Sequence, residues 1–191
     1  MPTAILTGAS RGLGFENAKG LAAQGYDIVM VAKDQGRLSA AQQSLQAAFP
    51  DRSFSTYAVD LADLGATREV AQRIASENLA PELLILAHGV MSEKMSKTLR
   101  TTDEEWRRVM AINLDSVFIL VNAVVPAMAD ARKGRVIIYS ACLGRMSGPG
   151  NAGGLAPYRI SKAGVNAMVR NLAHETGLGA RGLLVDAVCP N

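Results

Sequence analysis

Tyr158 and Lys162 stand four residues apart in Tyr158-Arg159-Ile160-Ser161-Lys162, a spacing that a helix displays on one face. An isolated phenol ionises near pH ~10, too high for a base at neutral pH. A neighbouring ammonium favours the phenolate, so such a pair can give a proton to a carbonyl oxygen or take one from an alcohol. Far upstream, Thr7-Gly8-Ala9-Ser10-Arg11-Gly12-Leu13-Gly14 follows the apolar run Ala4-Ile5-Leu6. The absent side chains of Gly8, Gly12 and Gly14 permit a tight turn and a close backbone approach to a pyrophosphate. The helix that follows turns its free N–H groups and positive dipole end toward that phosphate. A proton-transfer pair and a phosphate-binding turn are thus written at the two ends of one chain.

Elements that position these residues can be read from the pattern between them. Short β-rich runs alternate with longer helical patterns, which predicts parallel βαβ units. Strands are expected over 4–7, 27–32, 53–59, 83–87, 135–140 and 183–188, mostly as continuous apolar runs of the kind covered on both faces. Helices are expected over 12–24, 36–48, 66–77, 104–132 and 158–178. Trp106, Val109, Met110, Asn113, Val117, Leu120, Val121, Val124 and Met128 recur at helical spacing in the fourth, a stripe for core and subunit packing with Asn113 its polar member. Asn113 within a helix would compete for backbone groups, which argues for a purpose or for a kink. The expected architecture is α/β, a doubly wound three-layer sandwich around a mainly parallel sheet, with 1–191 as one domain. The stretch 144–157 holds five glycines and two prolines and is expected to be a loop overhanging the carboxyl end of the sheet, where ligands bind in such folds.

Bulk properties narrow the function further. The net charge of +3 is small and its basic residues are scattered, with no cluster accompanied by stacking aromatics, so no nucleic-acid partner is expected. Cys142 and Cys189 have no metal-ligand spacing and read as reduced, buried thiols; no metal site is expected. The apolar stretch 117–129, interrupted by Asn122 and Pro126, is too short to span a bilayer, and only Met1 and Pro2 precede the first strand. A soluble, cytoplasmic protein without a membrane partner is the expectation.

The order of these motifs resembles the short-chain dehydrogenase/reductase family, carbonyl reductases in particular. The resemblance runs through Thr-Gly-x-x-x-Gly-x-Gly, Val59-Asp60-Leu61, Ala111-Ile112-Asn113-Leu114, the Tyr158/Lys162 pair and Val185-Asp186-Ala187-Val188-Cys189-Pro190. It implies a dinucleotide held by Gly8, Ser10, Arg11, Gly12, Leu13 and Gly14, with Asp60 and Leu61 at the adenine and Gly89 after the fourth strand. Asp60 as a loop cap is the alternative. It also implies that Lys162 binds the nicotinamide ribose, that Tyr158 transfers the proton, and that Asn113 holds a water in a relay ending at the lysine. At the end of the second strand Ala32-Lys33 stands where an acid would favour NAD. With Arg11 and Arg37 nearby, NADP(H) is preferred over NAD(H), against the opposing charge of Asp34. The implied substrate is a small carbonyl or alcohol, and the implied assembly a homodimer or homotetramer through the fourth and fifth helices.

The chain departs from the family pattern in three places. Leu86-Ala87-His88-Gly89 replaces Asn-Asn-Ala-Gly, so His88 either touches the cofactor or serves the fold. Alignment puts Ala141 where a serine polarises the carbonyl; Ser140, one residue early, is the catalytic candidate, with Ser147 another. The family continues beyond the sixth strand, whereas this sequence stops at Asn191, which leaves 183–188 as an apolar sheet edge expected to promote oligomers or poor solubility. Two readings follow: a carbonyl/alcohol oxidoreductase, or a dinucleotide-binding protein of weak or absent activity. A scaffold built on the long apolar helices is a third.

Overall fold

The computed structural model describes residues 1–78, 80–93, 95, 97–147 and 153–190. Six parallel strands form one sheet: β1 (Thr3–Thr7), β2 (Asp27–Ala32), β3 (Phe54–Ala58), β4 (Leu83–Leu86), β5 (Gly134–Tyr139) and β6 (Leu183–Val188). Their order, β3-β2-β1-β4-β5-β6, reverses between β1 and β4. That reversal opens a crevice at the carboxyl ends of the two central strands.

Helices cover both faces because the central strands are apolar on both. Ala4, Leu6, Ile28 and Met30 pack against α1 (Gly12–Ala23) and α2 (Gln35–Ala48), through Ala18, Ala22, Leu38 and Leu45. Ile5, Val29, Leu84 and Val136 face the other way, toward α3 (Leu64–Glu77), α5 (Ser116–Asp130) and α6 (Ala156–Glu175). The doubly wound three-layer architecture is therefore as expected. Predicted boundaries hold to within a few residues; the largest shifts are at helix ends, where Asp34 and Asp63 cap α2 and α3 by accepting from Arg37 N–H at 2.9 Å and Ala66 N–H at 3.0 Å.

The predicted helix over 104–132 is three pieces. α4 (Asp103–Met110) passes into a π-helical turn (Ala111–Asp115) before α5 begins. A wide turn inserts an extra residue and rotates the helix faces on either side of it. Val109, Val117, Leu120, Val121, Val124 and Met128 are buried, but Trp106, on the far side of the turn, is 39% exposed and does not belong to the core stripe. The run Asp103–Asp130 is also long and apolar enough to cross a membrane, with mean hydropathy 1.8 over its most apolar 18 residues. The shorter stretch weighed from sequence understated its reach. Half of that window is buried inside the fold, and the eight buried residues of α5 make it a core helix here.

Of the predicted loop over 144–157, residues 148–152 lie outside the described part, as does Asn191. Gly144 closes a 3-10 turn and is buried: a Cβ there would come within 2.6 Å of the Lys162 carbonyl carbon. Leu155 precedes α6 in a left-handed conformation, φ 57°, unusual for a non-glycine residue.

Candidate active site

The glycine-rich turn takes the form its composition demands. Gly8 and Gly12 are left-handed, with φ 67° and 55°. A Cβ on Gly14 would collide with the Gly8 carbonyl, so the start of α1 lies flat against the end of β1. No side chain caps α1, leaving its first N–H groups directed outward from the turn. A cleft of about 670 Å³ opens there, of a size that suits a small-molecule cofactor. Gly8, Ser10, Arg11, Gly12, Gly14, Lys33, Asp60, Leu61 and Gly89 all line it. Leu13, 53% exposed, is not among its lining residues. Ala87, His88, Val90 and Ile112 complete the wall nearest β4.

Charge at the distal end of the cleft is arranged in pairs. Lys33 Nζ lies 2.6 Å from Asp60 Oδ2, and this hydrogen bond holds the Asp60 carboxyl below its usual range. Asp60 Oδ1 also accepts from Ala62 N–H at 3.1 Å, so the aspartate does act as a loop cap while lining the cleft. Asp34, the opposing charge near the ribose position, is committed to capping α2 and lies 3.7 Å from Arg37 Nε. Lys33 and Arg37 are thus each paired with a carboxylate, and Arg11 lines the same cleft.

Tyr158, Lys162, Asn113 and Ser140 do not line this cleft; Lys162 and Asn113 meet behind Gly89, and Tyr158 stands one turn before Lys162 on α6. A Cβ on Gly89 would stand 3.4 Å from both Lys162 Nζ and Asn113 Oδ1. Asn113 is fully buried in the π-helical turn, where its Oδ1 accepts from Val90 N–H at 2.8 Å and its Nδ2 donates to Val90 O at 2.9 Å. The same Nδ2 donates to Ser161 Oγ at 3.1 Å, and Ser161 donates to Tyr158 O at 2.8 Å. Lys162 is 4% exposed and donates from Nζ to Tyr139 O at 2.7 Å. Burial without a carboxylate partner pushes its pKa down to about 8.

Tyr158 departs from the expectation that the lysine would favour its phenolate. Burial raises its pKa, with smaller contributions from half-buried Cys189 and from Cys142, while the Lys162 ammonium is turned to the Tyr139 carbonyl. Cys142 is exposed and not the buried thiol expected. The phenol is held as a proton donor. Ser140 departs further: its hydroxyl is buried and donates to Asn166 Oδ1 at 2.6 Å, while Asn166 Nδ2 donates to Gly144 O at 3.3 Å. The strand end neither bulges nor twists Ser140 into the place of Ala141, which follows in extended backbone with its side chain on the opposite face. In this structure Ser140 packs β5 against α6, with its hydroxyl engaged by Asn166.

Sequence reasoning missed Asn166, Ser161 and Tyr139. Asn166 falls one helical turn after Lys162, on the face that already carries Tyr158, and that spacing was a usable signal. Tyr139 accepts from Asn17 Nδ2 at 2.6 Å through its hydroxyl and from Lys162 through its carbonyl, linking α1 to α6. His88 is structural and lines the cleft. Its pKa is pushed down to about 3, by burial first and by the Lys162 charge second. The unfolded chain therefore binds the His88 proton below pH ~6.5 while the folded one does not, so stability falls as pH drops from there toward 3. Urea unfolding at pH 7 and 4.5 should show a loss from this group of about 2–3 kcal/mol that His88→Gln removes. Equal pH slopes in parent and variant would contradict the neutral imidazole.

A parallel sheet whose order reverses above a glycine-rich turn defines a Rossmann-type nucleotide-binding protein. The profile described as short chain dehydrogenase matches residues 2–191. The chain is 33% identical over 187 residues to the 3-oxoacyl-[acyl-carrier-protein] reductase FabG of Escherichia coli, covering 98% of this chain and 71% of that protein. FabG of Staphylococcus aureus is 31% identical over 189 residues, 98% of this chain and 73% of its own. Among solved structures, a metagenomic short-chain oxidoreductase in complex with NADP superposes with a TM-score of 0.86 at 28% identity, over all of this chain and 82% of that one. The bulky-bulky ketone specific alcohol dehydrogenase of Comamonas testosteroni superposes with a TM-score of 0.87 at 26% identity, over all of this chain and 72% of that one. The chain belongs to the short-chain dehydrogenase/reductase family, oxidoreductases that work with a nicotinamide dinucleotide.

Proposed function

We propose that this protein is an NADP(H)-dependent oxidoreductase that interconverts a carbonyl and an alcohol, with Tyr158 as general acid/base. The observation that carries this reading is the convergence at Gly89. The cleft wall there backs directly onto Lys162 Nζ and Asn113 Oδ1, so dinucleotide and proton machinery would meet across one glycine. The turn of Gly8, Gly12 and Gly14 and the start of α1 fit a pyrophosphate, and Ser10, Asp60 and Leu61 would hold the remainder with Gly89, while Leu13 lies outside the cleft. The bound dinucleotide would supply the hydride. Tyr158, kept protonated by burial, would give its proton to the carbonyl oxygen, and Lys162 and Asn113 would hold the route by which it is replaced. Ser140 has no part in this scheme.

Arg11, Lys33 and Arg37 support NADP(H) over NAD(H). A charge-assisted hydrogen bond contributes about 1.5–3 kcal/mol, so calorimetric titration should give NADPH an affinity roughly 10- to 100-fold above NADH. Lys33→Ala should narrow that ratio; equal affinities in the parent would overturn the preference. Bulky ketones and 3-oxoacyl-[acyl-carrier-protein], the substrates in the names of two relatives, are the first to try. An assembly through the exposed faces of α5 and α6 around Phe118, which is 55% exposed, belongs to the same reading, as does a cytoplasmic setting.

A second reading, dinucleotide binding with weak turnover, is favoured by one observation. Ala141 carries no hydroxyl and Ser140 has committed its own to Asn166.

A further inference from the structure

We propose that His88 is a positioning residue that locks the π-helical turn carrying Asn113 to the strand end from which the glycine-rich turn departs. The inference rests on the proposed oxidoreductase reading for its catalytic consequence, and on hydrogen-bond geometry for the lock itself.

His88 reaches two elements with its two ring nitrogens. Nδ1 lies 2.6 Å from Thr7 Oγ1, and Nε2 lies 3.0 Å from Ile112 O and 2.9 Å from Ser116 Oγ. A carbonyl oxygen can only accept, so the network assigns the proton to Nε2. Nδ1 is then the acceptor, and the Thr7 hydroxyl donates to it. The neutral Nε2–H tautomer satisfies both contacts, whereas the Nδ1–H tautomer would turn an unprotonated Nε2 toward the Ile112 carbonyl.

The π-helical turn creates the need for this contact. Ser116 N–H bonds to Ala111 O, five residues back, and not to Ile112 O as in an α-helix. Ile112 O is met by side chains: the Ser116 hydroxyl at 2.7 Å and His88 Nε2–H. A wide turn persists where something outside the helix takes up the backbone group it releases. Here that group is a histidine anchored on β1. Asn113, the next residue after Ile112, has its carboxamide bonded to both backbone groups of Val90, two residues after His88. The segment 88–90 therefore grips the π-helical turn twice, once through each side chain.

At its other end the lock reaches the cofactor turn. Thr7 is fully buried and is the last residue of β1. A Cβ on Gly8 would approach Ala87 O and His88 N to 3.3 Å, so the glycine turn runs directly over the backbone that carries the imidazole. His88 thus fixes the distance between the phosphate-binding turn and the residues behind Gly89. A displacement of about 1 Å in such a relation can reduce turnover about 100-fold without removing any reacting group.

His88→Ala should lower kcat about 10- to 100-fold while the NADPH Kd changes less than about threefold, because no cofactor donor is lost. His88→Gln keeps an N–H able to reach Ile112 O and should recover most of kcat while recovering less of the melting temperature. Amide exchange gives the readout independent of turnover: Val90 N–H, held by Asn113, should exchange faster in His88→Ala than amides of β1 and β2. Unchanged kcat together with unchanged Val90 protection would overturn the proposal. Should His88→Ala fail to fold, Thr7→Val removes one arm alone, and Val90 protection equal to the parent's would then overturn it. Failure of the parent to bind NADPH would remove the oxidoreductase reading and leave the lock to be decided by Val90 exchange.

Discussion

Tyr158→Phe should reduce turnover by about 10²- to 10⁴-fold, the usual contribution of a positioned general acid, while the NADPH Kd stays within a few-fold of the parent. Only the hydroxyl is removed, and no hydrogen bond of that hydroxyl to a described residue is among the contacts of the folded chain, so the effect on folding should be small. The backbone carbonyl of Tyr158, which accepts from Ser161 and so joins the Asn113 network, is untouched. Burial raises the phenol's pKa, so the parent enters the reaction as a proton donor at neutral pH, and reduction is the favoured direction to assay. Measured with NADPH and any ketone the parent turns over, equal rates in parent and variant would sink the tyrosine assignment. Lys162→Met is a poorer test of the same chemistry. Its ammonium is a buried donor to Tyr139 O, and removing it would leave that carbonyl unsatisfied and disturb the join between β5 and α6.

What was legible in the sequence follows physical lines. The central strands β1, β2 and β4 were readable because strands buried on both faces are continuous apolar runs, and the glycine turn because three positions tolerate no side chain or need φ above zero. The Tyr158/Lys162 pair was readable because helical spacing fixes which residues share a face. The π-helical turn was not, since its stripe of apolar residues continues across it at nearly the same period. Trp106, at the outer end of α4, reads as core by spacing and lies at the surface, although Val109 one turn on is buried. Contacts between distant segments were closed to sequence for a different reason. Nothing in Leu86-Ala87-His88-Gly89 says that its imidazole meets Thr7, 81 positions earlier, or that Lys33 would pair with Asp60 rather than wait for a phosphate. A histidine at a strand end is ambiguous until the fold supplies its partners.

Strand parity makes the last prediction, on Ala141, sharp. Ser140 faces α6, where its hydroxyl serves Asn166, and Ala141 follows with φ −152° and ψ 152°, so its Cβ points to the other side of the chain. The side chain of Ser140 lies on the α6 side, and rotating it away would leave half-buried Asn166 Oδ1 without that donor. Ala141→Ser should therefore add a hydroxyl on the face that Ser140 cannot serve. One oxyanion-type donor contributes about 2.7–4 kcal/mol, so kcat should rise about 100- to 1,000-fold with NADPH affinity unchanged. Ser140→Ala should do the reverse: leave kcat nearly as it was and lower stability by about 1–3 kcal/mol through the orphaned Asn166 oxygen. Steady-state kinetics and urea unfolding of the two variants separate the roles. A gain in rate from Ala141→Ser would mean that the chain carries a complete proton pathway and lacks one donor. No gain, with cofactor binding intact, would place the missing donor elsewhere, at Ser147 first, or leave the chain as a binding protein whose tyrosine has no carbonyl to serve.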